Sequence, residues 1–138
     1  MNLVEQLLRA DTKKAEERET KVFLSKKLQK ILGAEEPVPV TIRELSPRRI
    51  NDIVDYQMNN DGGVDMKKVY DASLMMCVEG CMEPDLTSKE LQEHFGCKSA
   101  NDLAEKLFKA EAGDIAKEIS ILSGAEDDEK KQEDEVKN

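Results

Sequence analysis

Tryptophan is absent from this chain of 138 residues, and the aromatic residues together make up only 4% of it. Ring anchors are therefore scarce, and a core has to rest on Leu, Ile, Val and Met. There is one histidine, no Gly-x-Ser-x-Gly elbow and no glycine-rich phosphate loop, and no carboxylate pair stands apart from the 30 acidic residues. Nucleophilic, phosphoryl-transfer and acid–base chemistry all lose their usual carriers, so neither catalysis nor a cofactor is expected. No apolar run approaches a membrane span, and the start of the chain, Met1-Asn-Leu-Val-Glu-Gln-Leu-Leu-Arg-Ala10, lacks the basic opening and long apolar stretch of a signal peptide. The chain is expected to stay in the cytoplasm. Three cysteines, an odd number without a secretion signal, fit reduced thiols better than a disulfide framework.

Negative charge, by contrast, is abundant. The net charge of −9 repels phosphate backbones and anionic lipid surfaces, which argues against nucleic-acid and membrane binding and favours a protein partner. The length suits one modest core. Charge is unevenly spread along the chain. Residues 9–30 hold eight basic and four acidic side chains, whereas residues 125–138 hold three basic and seven acidic ones, with Val136 their one aliphatic side chain larger than alanine. So little apolar surface cannot offset ordering entropy, and that tail is expected to be disordered. The expected organisation is an amphipathic segment and charged connector over 1–19, a single helical domain with a small β-hairpin over 20–124, and the acidic tail over 125–138. The fold class is mainly α with a small antiparallel β element.

Local signals give the elements. Leu3, Leu7 and Leu8 lie at helical spacing in a segment too short to be stable alone, so they are expected to need a docking surface. Residues 20–24 read as a strand, yet Leu24, Leu28, Ile31 and Leu32 continue at helical spacing to Gly33, a C-terminal cap. Val38, Val40 and Ile42 alternate as in a strand, which Pro39 assigns to an edge and which pairs antiparallel with 20–24. Ser46-Pro47 starts a helix over 47–58, stapled by Leu45 and Ile50. After the turn 59–63, the most apolar helix spans 65–80, its stripe formed by Met66, Val69, Tyr70, Leu74, Cys77, Val78 and Cys81. Pro84 and Asp85 then break the chain, and Thr87 with Glu90 forms a capping box flanked by the staple Leu86 and Leu91. Helices near 88–95, 100–109 and 114–123 follow, the last with Ile115, Ile119 and Leu122 on its apolar face.

Three constellations bear on function. Cys77, Cys81, His94 and Cys97 approximate the spacing of a zinc site, although two cysteines one turn apart on an apolar helix also serve as small buried hydrophobes. Residues 57–68 resemble a calcium loop through Asn59, Asp61, Gly62 and Asp65, but Gln57 and Lys68 stand where end ligands belong, and an ordinary turn explains the same residues. Five of six methionines fall between Met58 and Met82. Such side chains fill irregular cores; Met75 and Met76 cannot both face inward on one stripe, so the outlying one is expected to contact a partner. The candidate partner-binding residues are thus Leu3, Leu7, Leu8, Met75 and Met76.

Cys77-Val-Glu-Gly-Cys-Met-Glu-Pro-Asp-Leu86, Leu91-Gln-Glu-His-Phe-Gly96 and Ile119-Ser-Ile-Leu-Ser-Gly124, behind an edge strand and a Ser-Pro helix start, resemble the XkdN-like tail assembly chaperones of bacteriophages and prophages over about residues 20–124. The resemblance implies a chaperone that coats the tape measure protein, keeps it soluble, helps recruit tail tube protein, leaves before the virion is mature, and has no catalytic residue. Self-association is a further partner reading. Limited apolar stripes and high net charge suit such transient coating, and a helix laid in a groove is its natural recognition mode. The family also implies ribosomal slippage near the end of the gene, for which A-rich codons at Glu129-Lys130-Lys131 would serve. The alternatives are a small zinc- or calcium-binding regulatory module on residues 57–97 and a generic helical adaptor.

Overall fold

A three-stranded antiparallel sheet lies against a set of helices in a computed structural model that describes residues 1–125. The expected acidic tail and the Glu129-Lys130-Lys131 reading lie outside the described residues. Strands β1 (Thr20–Ser25), β2 (Val38–Arg43) and β3 (Cys81–Glu83) stand in the order β1-β2-β3. The helices are α1 (Leu3–Leu8), α2 (Lys26–Leu32), α3 (Pro47–Tyr56), α4 (Met66–Gly80), α5 (Lys89–His94), α6 (Ala100–Phe108) and α7 (Glu111–Leu122). A 3-10 turn, Thr12–Ala15, interrupts the connector after α1.

The ambiguity at residues 20–32 resolves into a strand followed directly by a helix. Ser25 closes β1 and caps α2, its Oγ accepting the amide of Leu28 at 3.1 Å. The same hydroxyl donates to Glu111 Oε1, while Glu111 Oε2 accepts the amide of Lys26 at 3.0 Å. One carboxylate at the start of α7 thereby clasps the start of α2. Gly33 ends α2 in the left-handed conformation, as its position required.

β2 pairs with β1 in the expected antiparallel sense, Val22 opposite Thr41 and Leu24 opposite Pro39. Its place in the sheet differs from the expected edge, since β3 adds along the far side through Thr41 and Ile42. Pro39 is tolerated because β3 does not reach it, so its missing amide interrupts no ladder there. Val40 and Ile42 point inward and are fully buried. Cys81 belongs to β3 and not to the helix; α4 ends at Gly80, before Pro84 is reached.

α4 is central, packed against α3, α6 and α7. Its buried residues, Ala72, Leu74, Met76, Cys77 and Gly80, overlap the expected stripe at Leu74 and Cys77, whereas Met66 is exposed at the first turn. Partners on three sides bury a wider sector than one stripe. Arg49 Nε ties α3 to α4 through Glu79 Oε1 at 2.6 Å, a partly exposed pair worth about 1 kcal/mol or less. Ser46 caps α3, and Leu45 and Ile50 are both buried, as the staple required.

The cap of α5 is Ser88, accepting the amide of Leu91 at 3.2 Å, and not Thr87. Thr87 is engaged by Asp85, whose Oδ1 accepts both its hydroxyl and its amide. Those two hydrogen bonds, the hydroxyl first, hold the Asp85 carboxyl below its ordinary range. α7 begins three residues earlier than expected because α6 reverses sharply at Lys109, at φ 52°, where Tyr70 donates to the Lys109 carbonyl at 2.8 Å.

Candidate partner-binding surfaces

Among the described residues, α1 is held by its own backbone, by Asn2, whose side chain accepts the amide of Glu5 at 2.8 Å, and by Gln6, whose Nε2 donates to the Met1 carbonyl at 3.2 Å. All its side chains are exposed: Leu3 at 67%, Val4 at 65%, Leu7 at 64% and Leu8 at 81%. Leu3 with Leu7, and Val4 with Leu8, sit one turn apart, so four aliphatic groups share one side. A helix of six residues is not stable in water by itself, and this one meets no core. The sequence reading of Leu3, Leu7 and Leu8 missed Val4, which the same spacing could have supplied.

Met75 and Met76 divide between core and margin, as their adjacency on one helix required. Met76 is 6% exposed and belongs to the core, and Met75 packs half-buried against it. Met76 is thus taken up by the core of a helix with neighbours on three sides, and Met75 is the outlying member of the pair. Exposed apolar surface lies instead on the outer face of β1, at Val22 and Leu24, and at Ile31 and Leu32 of α2.

α3, α4 and α7 enclose an open groove of about 350 Å³. Ile53 and Val54 form one wall, Ala72 and Met76 the floor, and Gly113 and Ala116 the other wall, with Gln57, Ser73, Lys117 and Ser120 at the margins. Lys117 is the one charged residue lining it. A second cleft of about 610 Å³, between β3 and α5, is lined by Met82, His94 and the acidic residues Glu83, Asp85 and Glu90.

Among the described residues, no three His, Cys, Asp or Glu side chains converge as a metal site would require. Cys77 is buried and gives its thiol to the Ala112 carbonyl at 3.3 Å; Cys97 turns to the Phe95 carbonyl at 3.7 Å; His94 meets the edge of Phe95 with ring centroids 5.1 Å apart. Burial pushes the Cys77 thiol strongly upward, aided by Cys81, and pushes Cys81 from its ordinary value near 9 up to about 12. Thiolate, the form that ligates and attacks, is thus disfavoured at both. In the 57–68 loop, Asp61 Oδ1 accepts the Gly63 amide at 2.9 Å and Asp65 Oδ1 the Lys67 amide at 3.0 Å, so these carboxylates shape the turn and cap α4.

The thiols give a direct check. Of the three cysteines, Cys97 alone is partly exposed, so native protein at pH 8 is expected to show one fast-reacting thiol and unfolded protein three. Unfolded thiols ionise from about pH 9, while Cys77 and Cys81 stay protonated in the fold. Their contribution to stability is therefore constant below pH 9 and declines as the pH rises beyond it. Thiol titration and alkaline denaturation curves measure both effects, and two or more fast thiols in native protein would contradict the burial.

No helix among the described residues is long and apolar enough to cross a membrane. In comparisons with known proteins, the family model described as phage XkdN-like tail assembly chaperone protein matches residues 4–137. The crystal structure of the protein YqbN is similar in fold, with a TM-score of 0.52 at 16% identity over 78% of this chain and 87% of that one. No curated protein sequence matches the chain.

Proposed function

The chain belongs to the family of phage XkdN-like tail assembly chaperones, and from that membership we propose that it binds a tape measure protein, keeps it soluble and helps recruit tail tube protein while the tail is built. It acts in the bacterial cytoplasm, catalyses no reaction, and leaves before the virion is complete. The observation that carries the reading is the uncovered aliphatic side of α1, formed by Leu3, Val4, Leu7 and Leu8 on a chain of net charge −9. Such a side, tethered by a charged connector, suits reversible coverage of another chain's apolar helices, while like charge keeps coated complexes apart. Coverage is limited in area, which favours release when tube subunits arrive.

Co-expression with the long helix-rich protein encoded beside it tests the proposal. The tape measure chain is expected in the soluble fraction with the native protein, and in the pellet when Leu7→Glu and Leu8→Glu are combined. Equal solubility with and without the chaperone removes the proposal. The double variant is expected to fold normally, because neither side chain is buried.

A further inference from the structure

We propose that the free edge of β1 pairs antiparallel with β1 of a second copy of this chain, centred on Val22, so that the two sheets join into one. The sheet has two edges, and only one is guarded. β3 is three residues long and meets β2 through an irregular register, and both features blunt an edge against further pairing. β1 has neither device. It runs for six residues in unbroken register with β2, contains no proline, and carries Val22 and Leu24 exposed on its outer face. Among the described residues, nothing pairs with its other side. Its backbone groups point the right way: the Glu44 amide donates to the Glu19 carbonyl at 2.9 Å and the ladder alternates, so Lys21, Phe23 and Ser25 bond to β2 while Thr20, Val22 and Leu24 turn their amides and carbonyls outward. Pro39 stands opposite Leu24, at a pair that exchanges no ladder bond, as this alternation requires.

Charge selects a second copy as the occupant. Glu16, Glu17 and Glu19 precede the strand, with Arg18 as the exception among them, and Lys26, Lys27 and Lys30 follow it. A segment that is acidic, then apolar, then basic is complementary to itself when turned end for end, so a two-fold axis at Val22 sets each acidic flank beside the other copy's basic one. None of these glutamates and lysines is in a salt bridge among the described residues. Residues 15–18 run beside 44–47, so the acidic flank continues in line with β1 and does not fold across its edge. Lys21, the one charged residue within β1, is held by Glu118 of α7 on the opposite face and leaves the edge clear. On the outer face, Val22 meets the partner's Val22, and Leu24 meets the partner's Thr20. The contact is small, so the dimer dissociates on dilution, and α1 takes no part in it.

Sedimentation equilibrium of the full chain without client, across a range of concentrations, tests this. The native protein is expected to be dimeric at the higher concentrations and monomeric on dilution. Val22→Pro removes an amide that faces away from β2, so this variant is expected to be monomeric with native circular dichroism. Glu17→Lys is expected to weaken the dimer about fivefold, and adding Lys27→Glu to restore it, because the register sets these positions opposite each other across the axis. A cross-link makes the test independent of proline. With Cys97→Ser in place, Val22→Cys is expected to give a disulfide-linked dimer on mild oxidation, whereas Thr41→Cys, one strand further from the axis on the same face, is not. A monomer at all concentrations overturns the inference, as does a dimer unaffected by Val22→Pro, a charge swap that fails to restore it, or equal cross-linking at the two positions. Leu7→Glu with Leu8→Glu is expected to dimerise as the native protein does, so loss of the dimer and loss of client binding are told apart.

Discussion

Replacing Phe108 by alanine is expected to lower the free energy of unfolding by about 3–5 kcal/mol, measured by urea denaturation followed by far-ultraviolet circular dichroism. Phe108 is the largest fully buried side chain, in a chain with three phenylalanines and no tryptophan. It ends α6, which packs against α2, α4 and α7, and it belongs to a buried cluster that also holds small side chains such as Ala72, Ala104 and Ala112. Removing the ring leaves a cavity where neighbouring helices are packed on several sides, so the penalty falls at the upper part of the range. With a stability of about 5–15 kcal/mol typical of such domains, the variant retains little margin. Phe108→Leu, which keeps much of the volume, is expected to lose less than half as much. Equal losses in the two variants would show that the ring's volume is not what the site requires.

Gly80→Ala carries the second large effect, and its sign is set by one contact. In an open helix the change gains about 0.5–1 kcal/mol. Here a Cβ would stand 2.3 Å from Cδ1 of Ile119, 2.9 Å from Cγ1 and 3.1 Å from Cγ2. Three atoms of one buried, β-branched side chain cannot all retreat by rotation, so α4 and α7 must separate. A net destabilisation of about 2–3 kcal/mol is expected. Ile119→Val removes the nearest atom. Alone it costs about 1 kcal/mol, whereas in the Gly80→Ala background it is expected to be neutral or stabilising, a coupling that a double-mutant cycle reads directly. Additive losses would mean that the two helices are not in this contact.

How far the fold could be read depended on whether a signal was local. Ser46, Pro47, Leu45 and Ile50 all act within one helical turn, and α3 starts where they place it. Gly33 ended α2 for the same reason. Residues 20–32 were ambiguous because Leu24 belongs at once to the alternation of a strand and to the spacing of the helix beyond, and only Ser25, bound by the distant Glu111, divides the two. β3 went unseen because three residues carry no alternation, and its pairing with Ile42 spans the whole of α3 and α4. Thr87 and Ser88 are neighbours with equal capping chemistry; the hydrogen bonds to Asp85 decided between them.

The candidate surfaces divide along the same line. The aliphatic side of α1 was legible because it needs no neighbour to define it. Which of Met75 and Met76 faces the core was not legible, because the neighbours that bury Met76 come from helices distant in sequence. The groove was invisible to sequence because its walls, α3 and α7, are separated by the whole of α4, α5 and α6, and only packing brings Ile53 and Gly113 together. The cysteine and histidine spacing suggested convergence, yet Cys77 and Cys97 each turn to a different backbone carbonyl.

The central claim is that this chain shields the apolar helices of another. Light scattering after dilution of denatured tape measure protein into buffer tests it most directly, with the purified chaperone present at increasing molar ratios. Scattering that falls to a plateau at a defined ratio, and that returns when Leu7→Glu and Leu8→Glu are combined, is the predicted result. Scattering that is the same with the native protein, the double variant or no chaperone would contradict the account.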